Sequence, residues 1–96
     1  SLFTDDRYVE IISEEIKQQM AKQMQQDANN IYWVQDDDPE KFTKINEDQS
    51  FYINPDGKLV IAFDEYEVAP GYMGAVEFVI PTETIKDLLV GDRYIH

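Results

Sequence analysis

The sequence predicts an α+β fold: a small antiparallel sheet of three to four strands packed against a long N-terminal helix, with a short helix near the C-terminus. Three observations lead to it. Apolar residues recur every four positions near the start, as on one helix face. Two alternating apolar runs flank a turn sequence, and a third alternating run follows them. With 96 residues, we expect one domain spanning residues 1–96.

The first predicted element is an amphipathic helix within residues 2–30. Thr4 is a suitable N-cap, and Phe3 and Tyr8 are spaced to pack together as a hydrophobic staple across the helix start. The apolar stripe is expected to bury against the sheet rather than to remain free for a partner. Its members are Tyr8, Ile12, Ile16, Met20 and Met24, widened by Val9 and Ile11.

The next segment has weaker signals. Residues 31–34, Ile-Tyr-Trp-Val, are β-branched and aromatic, so they predict a short strand or an extended lead-in to the sheet. Asp38 before Pro39 is a plausible helix start, which predicts one or two turns reaching Ile45. Phe42 and Ile45 are expected to face the core.

A β-hairpin is the clearest local prediction. In residues 51–63, two alternating runs flank Asn54-Pro55-Asp56-Gly57, where proline presets the turn and glycine accepts positive φ. We expect a bulge at Gly57. Apolar residues lie on both faces of the second strand, so it is expected to be covered on both sides. One face carries Leu59, Ile61 and Phe63, and the other carries Val60 and Ala62.

A third strand and a short helix complete the prediction. Val76, Phe78 and Ile80 alternate inward until Pro81 stops the strand. Thr82 is then expected to cap a short helix that ends at Gly91 and has an apolar side. That side consists of Ile85, Leu88 and Leu89.

Composition restricts the possible functions. The formal net charge is −12 and the isoelectric point is near 4.2, so the chain repels phosphate backbones and attracts basic proteins. The absence of cysteine excludes disulfides, zinc–thiolate sites and thiol nucleophiles. The longest apolar run, Leu-Val-Ile-Ala-Phe, is too short to cross a bilayer. Because the sequence does not begin with Met, we expect it to be cut from a longer protein.

Three sequence patterns could indicate a catalytic or ligand-binding site. Glu65 and Glu67 would share one side of an extended chain, as glycosidase carboxylates do, but a solvated acidic edge is the stronger interpretation. Gly71 and Gly74 precede a strand pattern rather than the helix that a phosphate loop needs, so they indicate backbone turns. Residues 36–40, Asp-Asp-Asp-Pro-Glu, lack the spacing of a calcium loop. We therefore predict no catalytic residue, metal or cofactor.

The segment FYINPDGKLVIAFDEYEVAPGYMGAVEFVIP, residues 51–81, resembles a known family. It is similar to the C-terminal ectodomain of RsiV-type anti-sigma factors, a bacterial domain of unknown function that also occurs beside some polysaccharide deacetylases and in lipoproteins. The helical residues upstream fit as well. The pattern comprises an apolar strand, Asp-Gly, a strand ending in Phe, Tyr-Glu-x-Ala-Pro, a glycine and a closing Ile-Pro. The matching residues are Phe51, Asp56, Gly57, Phe63, Tyr66, Glu67, Ala69, Pro70, Gly74, Ile80 and Pro81.

The resemblance implies a non-catalytic extracellular domain that binds a basic protein such as lysozyme. It also implies localisation at the cell surface, no nucleic-acid partner, and an anchor upstream rather than membrane insertion by this segment. The alternative that it leaves open is an accessory wall-binding module of a deacetylase-like protein. We expect the partner to contact the irregular stretch between the second and third strands. The candidate partner-binding residues are Asp64, Glu65, Tyr66, Tyr72 and Met73.

Overall fold

The computed structural model describes residues 3–34, 41–90 and 95. It confirms the α+β fold. The described strands form a single antiparallel sheet in the order β1-β2-β3, and helix α1 packs against β3 and against the short helix α2. The elements are α1 (Arg7–Gln26), β1 (Phe51–Ile53), β2 (Leu59–Phe63), a 3-10 turn (Gly71–Met73), β3 (Val76–Ile80), α2 (Thr82–Ile85) and a second 3-10 turn (Lys86–Leu88).

Helix α1 begins later than its sequence suggested. The expected cap at Thr4 is wrong, because the Thr4 N–H donates to the Leu88 carbonyl at 2.8 Å and so lies outside the helix. Asp5 serves the helix start instead, since its carboxylate accepts the Arg7 N–H at 2.9 Å and pairs with the Arg7 guanidinium at 3.0 Å. This hydrogen bonding lowers the pKa of Asp5. A tertiary contact has thus displaced a plausible local cap.

The buried face of α1 follows the predicted stripe with one exception. Ile12, Ile16 and Met20 are completely buried in the core. The predicted staple is also present, because the Phe3 and Tyr8 rings stack with centroids 4.3 Å apart. Ile11 does not belong to the stripe: it is 36% exposed and points away from the sheet.

The segment between α1 and β1 differs most from prediction. Residues 31–34 form no strand: the chain bends at Trp33, whose N–H donates to the Val68 carbonyl at 2.8 Å, and the Val34 N–H donates to the Tyr32 carbonyl at 3.0 Å. The predicted helix is wrong over residues 41–45, which are irregular, and its proposed start at Asp38 lies outside the described residues. Phe42 and Ile45 are buried as predicted.

The hairpin is confirmed. Asn54 closes the turn, because its carbonyl accepts the Gly57 N–H and its own N–H donates to the Lys58 carbonyl, both at 2.9 Å. Gly57 has φ of 78°, the positive value predicted for it. Five residues therefore separate Ile53 from its partner Leu59, which sets the register of the two strands.

Strand β2 is buried on both faces, as its apolar composition predicted. Leu59, Ile61 and Phe63 face the core shared with α1. On the outer face, the Tyr52 hydroxyl on β1 donates to the Glu77 carboxylate on β3 at 2.9 Å. That hydrogen bond places the Tyr52 ring over β2. The ring covers Val60, the register partner of Tyr52, which is only 2% exposed.

Strand β3 and the elements after it complete the core. Phe78 and Ile80 are buried and Glu77 and Val79 face outward, as the alternation predicted. Thr82 is the first residue of α2 rather than its cap, and no side chain caps this helix. The helix ends at Ile85 and continues as a 3-10 turn, while Gly91, its predicted end, lies outside the described residues.

Candidate partner-binding surface

The chain between β2 and β3 begins with a closed turn at residues 64–67. The Glu67 N–H donates to the Asp64 carbonyl at 3.0 Å, and the Asp64 N–H donates to the Glu67 carboxylate at 2.9 Å. The second carboxylate oxygen of Glu67 accepts a bond from the Gln49 side chain at 3.3 Å. Asp64 and Glu65 remain exposed. Glu67 therefore holds the turn closed, and the exposed Asp64 and Glu65 present negative charge.

This turn removes the premise of the glycosidase interpretation. Glu65 and Glu67 were expected on one side of an extended chain, but both lie in a turn. Glu67 uses both carboxylate oxygens in the hydrogen bonds that close the turn and join it to Gln49. Its structural role is inconsistent with a carboxylate kept free for an attacking water or a sugar ring.

Tyr66 projects from the turn in an unusual backbone conformation. Its φ of 70° lies in the left-handed region, which is uncommon for residues other than glycine. The side chain is 65% exposed, and its ring lies directly over Gly71. A Cβ at position 71 would be within 2.4 Å of the ring carbon Cζ and the hydroxyl oxygen. The exposed Tyr66 ring would therefore have to move if residue 71 carried a side chain, a reason for glycine that the sequence context did not reveal.

The middle of the segment is anchored in the core. Val68 and Ala69 are each 2% exposed, and the Val68 carbonyl accepts the Trp33 N–H. Beyond them, Pro70 starts the 3-10 turn by accepting the Met73 N–H at 3.0 Å. The segment is irregular, but its buried side chains and the bond from Trp33 hold it to the rest of the domain.

Tyr72 is the most exposed residue of the 3-10 turn, at 66%. Its hydroxyl donates to the Asn29 carbonyl at 3.1 Å, which links the 3-10 turn to the turn that follows α1. Met73 differs from the expectation that it would be exposed, because it is half-buried and packs against the core. Gly74 has φ of 66°, which redirects the chain into β3. We refer to Asp64, Glu65, Tyr66 and Tyr72 as the loop surface.

The structure therefore brings four of the five predicted residues to one exposed segment and places the fifth beneath it. Asn29 was missed, since nothing in the sequence indicates that its carbonyl receives the Tyr72 hydroxyl. Within residues 3–34, 41–90 and 95, no group of acidic and histidine side chains is arranged to hold a metal ion. The candidate calcium segment, residues 36–40, lies outside those ranges. No described helix is long and apolar enough to span a bilayer.

Comparison with known proteins identifies relatives along almost the whole chain. Residues 1–83 match the family described as "Protein of unknown function (DUF3298)". The chain is 62% identical over 95 residues to "Anti-sigma-V factor RsiV" of Bacillus subtilis (strain 168), covering 99% of this chain and 33% of that protein. A crystal structure of a DUF3298 family member from Bacteroides fragilis shares the fold, with a TM-score of 0.65 and 24% identity. The match covers 95% of this chain and 34% of that one. The chain thus spans about a third of each relative.

Proposed function

The chain belongs to the DUF3298 family, and from that premise we propose that it is a non-catalytic, protein-binding sensor domain of an anti-sigma factor-like protein at the cell surface. Its ligand in this proposal is a basic protein such as lysozyme. The family relationship and the 62% identity to an anti-sigma factor support the anti-sigma factor-like assignment. Because only 33% of that relative is covered, the activity of the whole protein is carried over here as a proposal.

One observation carries the binding role: two tyrosines, 65% and 66% exposed, project from a segment that is held to the domain by buried side chains and a backbone hydrogen bond. Aromatic side chains on a rigid support are effective anchors, because binding immobilises few additional bonds. Tyr66 rests on Gly71, and Tyr72 is tied to Asn29 by its hydroxyl. Such support is expected of tyrosines that face a partner, and it is not required of a loop that contacts only solvent.

Electrostatics favours a basic ligand. The chain carries 20 acidic residues against 8 basic ones, and Asp64 and Glu65 add exposed negative charge beside the tyrosines. Exposed charges of this kind act mainly on the association rate. Aromatic anchors that become buried in the complex act mainly on its lifetime. The acidic pair, Asp64 and Glu65, is therefore expected to affect the association rate constant. The two tyrosines are expected to affect the dissociation rate constant.

The test is titration of the protein with hen egg-white lysozyme by calorimetry, at low and at physiological salt. A binding heat that weakens with salt supports the proposal. No heat at either salt, with the longest available form of the parent protein, contradicts the lysozyme version. Surface plasmon resonance on variants then measures the separate effects of the tyrosines and of the acidic pair on the two rate constants.

Tyr72→Ala should speed dissociation and leave the association rate nearly unchanged, with stability within about 0.5 kcal/mol of wild type. Tyr72→Phe is the matched control, because it keeps the ring and loses only the bond to Asn29. If Tyr72→Ala binds like wild type, or if it unfolds the domain, Tyr72 is not an anchor.

Asp64→Asn with Glu65→Gln should do the opposite and slow association in a salt-dependent manner. The control pair, Glu10→Gln with Asp87→Asn, removes the same charge from exposed positions on other elements. Equal slowing by both pairs would show that net charge, rather than the loop surface, steers the partner.

A further inference from the structure

Strand β1 is an open edge of the described sheet. Pairing in an antiparallel ladder alternates from residue to residue. At the two ends of β1, the Asn54 N–H donates to the Lys58 carbonyl and the Ser50 carbonyl accepts the Ala62 N–H. That alternation directs the N–H and C=O groups of Phe51 and Ile53 away from β2. An edge with outward-pointing backbone groups is a template for an additional strand.

The side chains of β1 are also incompletely covered. Phe51 is 54% exposed although it lies on the same sheet face as the buried Ile61, its register partner. Tyr52 is 45% exposed on the opposite face. An added strand would cover both, because its side chains would alternate between the two faces as those of β1 do.

A cavity of about 270 Å³ opens on the Phe51 side of this edge. Its walls come from the start of α1, the loop before β1 and the sheet, and its polar lining is limited to Asn46, Glu47 and Gln49. The volume lies just below the range of pockets that hold small-molecule ligands, which suits an inserted side chain better. The apolar lining is Phe3, Tyr8, Ile12, Ile45, Phe51, Leu59 and Ile61.

Two observations point to what fills it. The chain covers only 33% and 34% of the two relatives, so most of each relative lies in sequence that this chain does not contain. Phe3, the first described residue, forms part of the cavity wall and bridges to Leu89, so the described chain begins beside the cavity. A segment of the same polypeptide meets the cavity as an intramolecular ligand, at an effective concentration set by the length of its linker.

We propose that the β1 edge and its cavity bind an extended segment of the same polypeptide from outside residues 1–96. The segment pairs with Phe51 and Ile53 and inserts a large apolar side chain into the cavity. This contact joins the domain to the rest of its parent protein. It is independent of the loop surface, which lies in the connection between β2 and β3.

The experiment uses the full-length parent protein with the photoreactive amino acid p-benzoylphenylalanine in place of Phe51. Irradiation followed by mass spectrometry of peptides should show an intramolecular cross-link to one apolar segment outside residues 1–96. The matched control carries the same amino acid in place of Val79, which is 48% exposed on the other edge strand, β3. The control should not cross-link to that segment.

Every alternative occupant gives a distinct result. A cross-linked dimer would identify a second copy as the occupant, and a cross-link within residues 1–96 would show that this domain closes the cavity itself. Either result overturns the proposal, as does the absence of any cross-link. Hydrogen exchange of the unmodified parent provides a second test: the amides of Phe51 and Ile53 should exchange at least about tenfold more slowly than an open edge allows.

Discussion

Two residues outside the helices and strands show how backbone conformation decides where side chains go. Gly57 and Tyr66 both have positive φ, but only the first is a residue type that adopts it without strain. The left-handed backbone of Tyr66 lies in the turn after β2, and the ring is directed outward onto Gly71. Such strain is characteristic of functional sites, which agrees with the proposed role of the loop surface.

Gly57→Val provides a residue-level test of the hairpin. Valine at φ of 78° should destabilise the domain by about 1 kcal/mol or more, because a β-branched side chain is strained in this region. Gly57→Asn is the control, since asparagine tolerates the left-handed conformation better and should be less destabilising. Thermal denaturation measures both variants. An unchanged midpoint for Gly57→Val would contradict the turn described here.

At the scale of elements, local patterns predicted what local hydrogen bonds build. Helix α1 and the hairpin follow periods of about four and two residues, because their backbone partners are close in sequence. Strand β3 keeps the period of two although it pairs with β2 across residues 64–75. The irregular segments do not follow such patterns. Trp33 bonds to Val68 and Phe42 bonds to Trp33, so tertiary partners replaced both the predicted strand and the predicted helix. Thr4 likewise bonds to a tertiary partner, the Leu88 carbonyl, instead of capping α1.

Ser13 joins two of these elements and offers a test of their coupling. It is 2% exposed, its hydroxyl donates to the Val9 carbonyl within α1, and its oxygen accepts the Ile45 N–H at 2.9 Å. Ser13→Ala should lower the free energy of unfolding by about 1–3 kcal/mol, because the buried Ile45 N–H loses its acceptor.

Chemical denaturation measures this change, with the exposed Ser50→Ala as the matched control, expected within about 0.5 kcal/mol of wild type. Equal midpoints for the two variants would mean that water or another group replaces the Ser13 hydroxyl. The bond would then not fix the segment that carries Phe42 and Ile45.

At the scale of the whole molecule, the sequence predicted which segment a partner would contact but not how that segment is held in place. The prediction rested on the irregular stretch between the second and third strands and on the family pattern, which includes residues 66–74. The support of that surface depends on contacts between distant residues, such as the bond from Tyr72 to Asn29. The cavity beside β1 was not predicted either, since it is enclosed by three segments that no single stretch of sequence brings together.

The net charge of −12 leads to a prediction in which salt has opposite effects on folding and on binding. At about 10 mM salt the screening length is about 30 Å, which spans most of a molecule 38 Å long. Mutual repulsion among the acidic residues then destabilises the compact state, while attraction of a basic partner is strongest. At about 150 mM salt the screening length is about 8 Å and both effects weaken.

Raising salt over this range should therefore raise the thermal midpoint of the free domain and lower its association rate with lysozyme. Scanning calorimetry measures the midpoint, and surface plasmon resonance at the same salt concentrations measures the rate. The dissociation rate should change little, because the tyrosine anchors are largely insensitive to screening. A midpoint that falls with added salt would show that the acidic residues are engaged in stabilising ion pairs. A salt-independent association rate would contradict electrostatic steering by this surface.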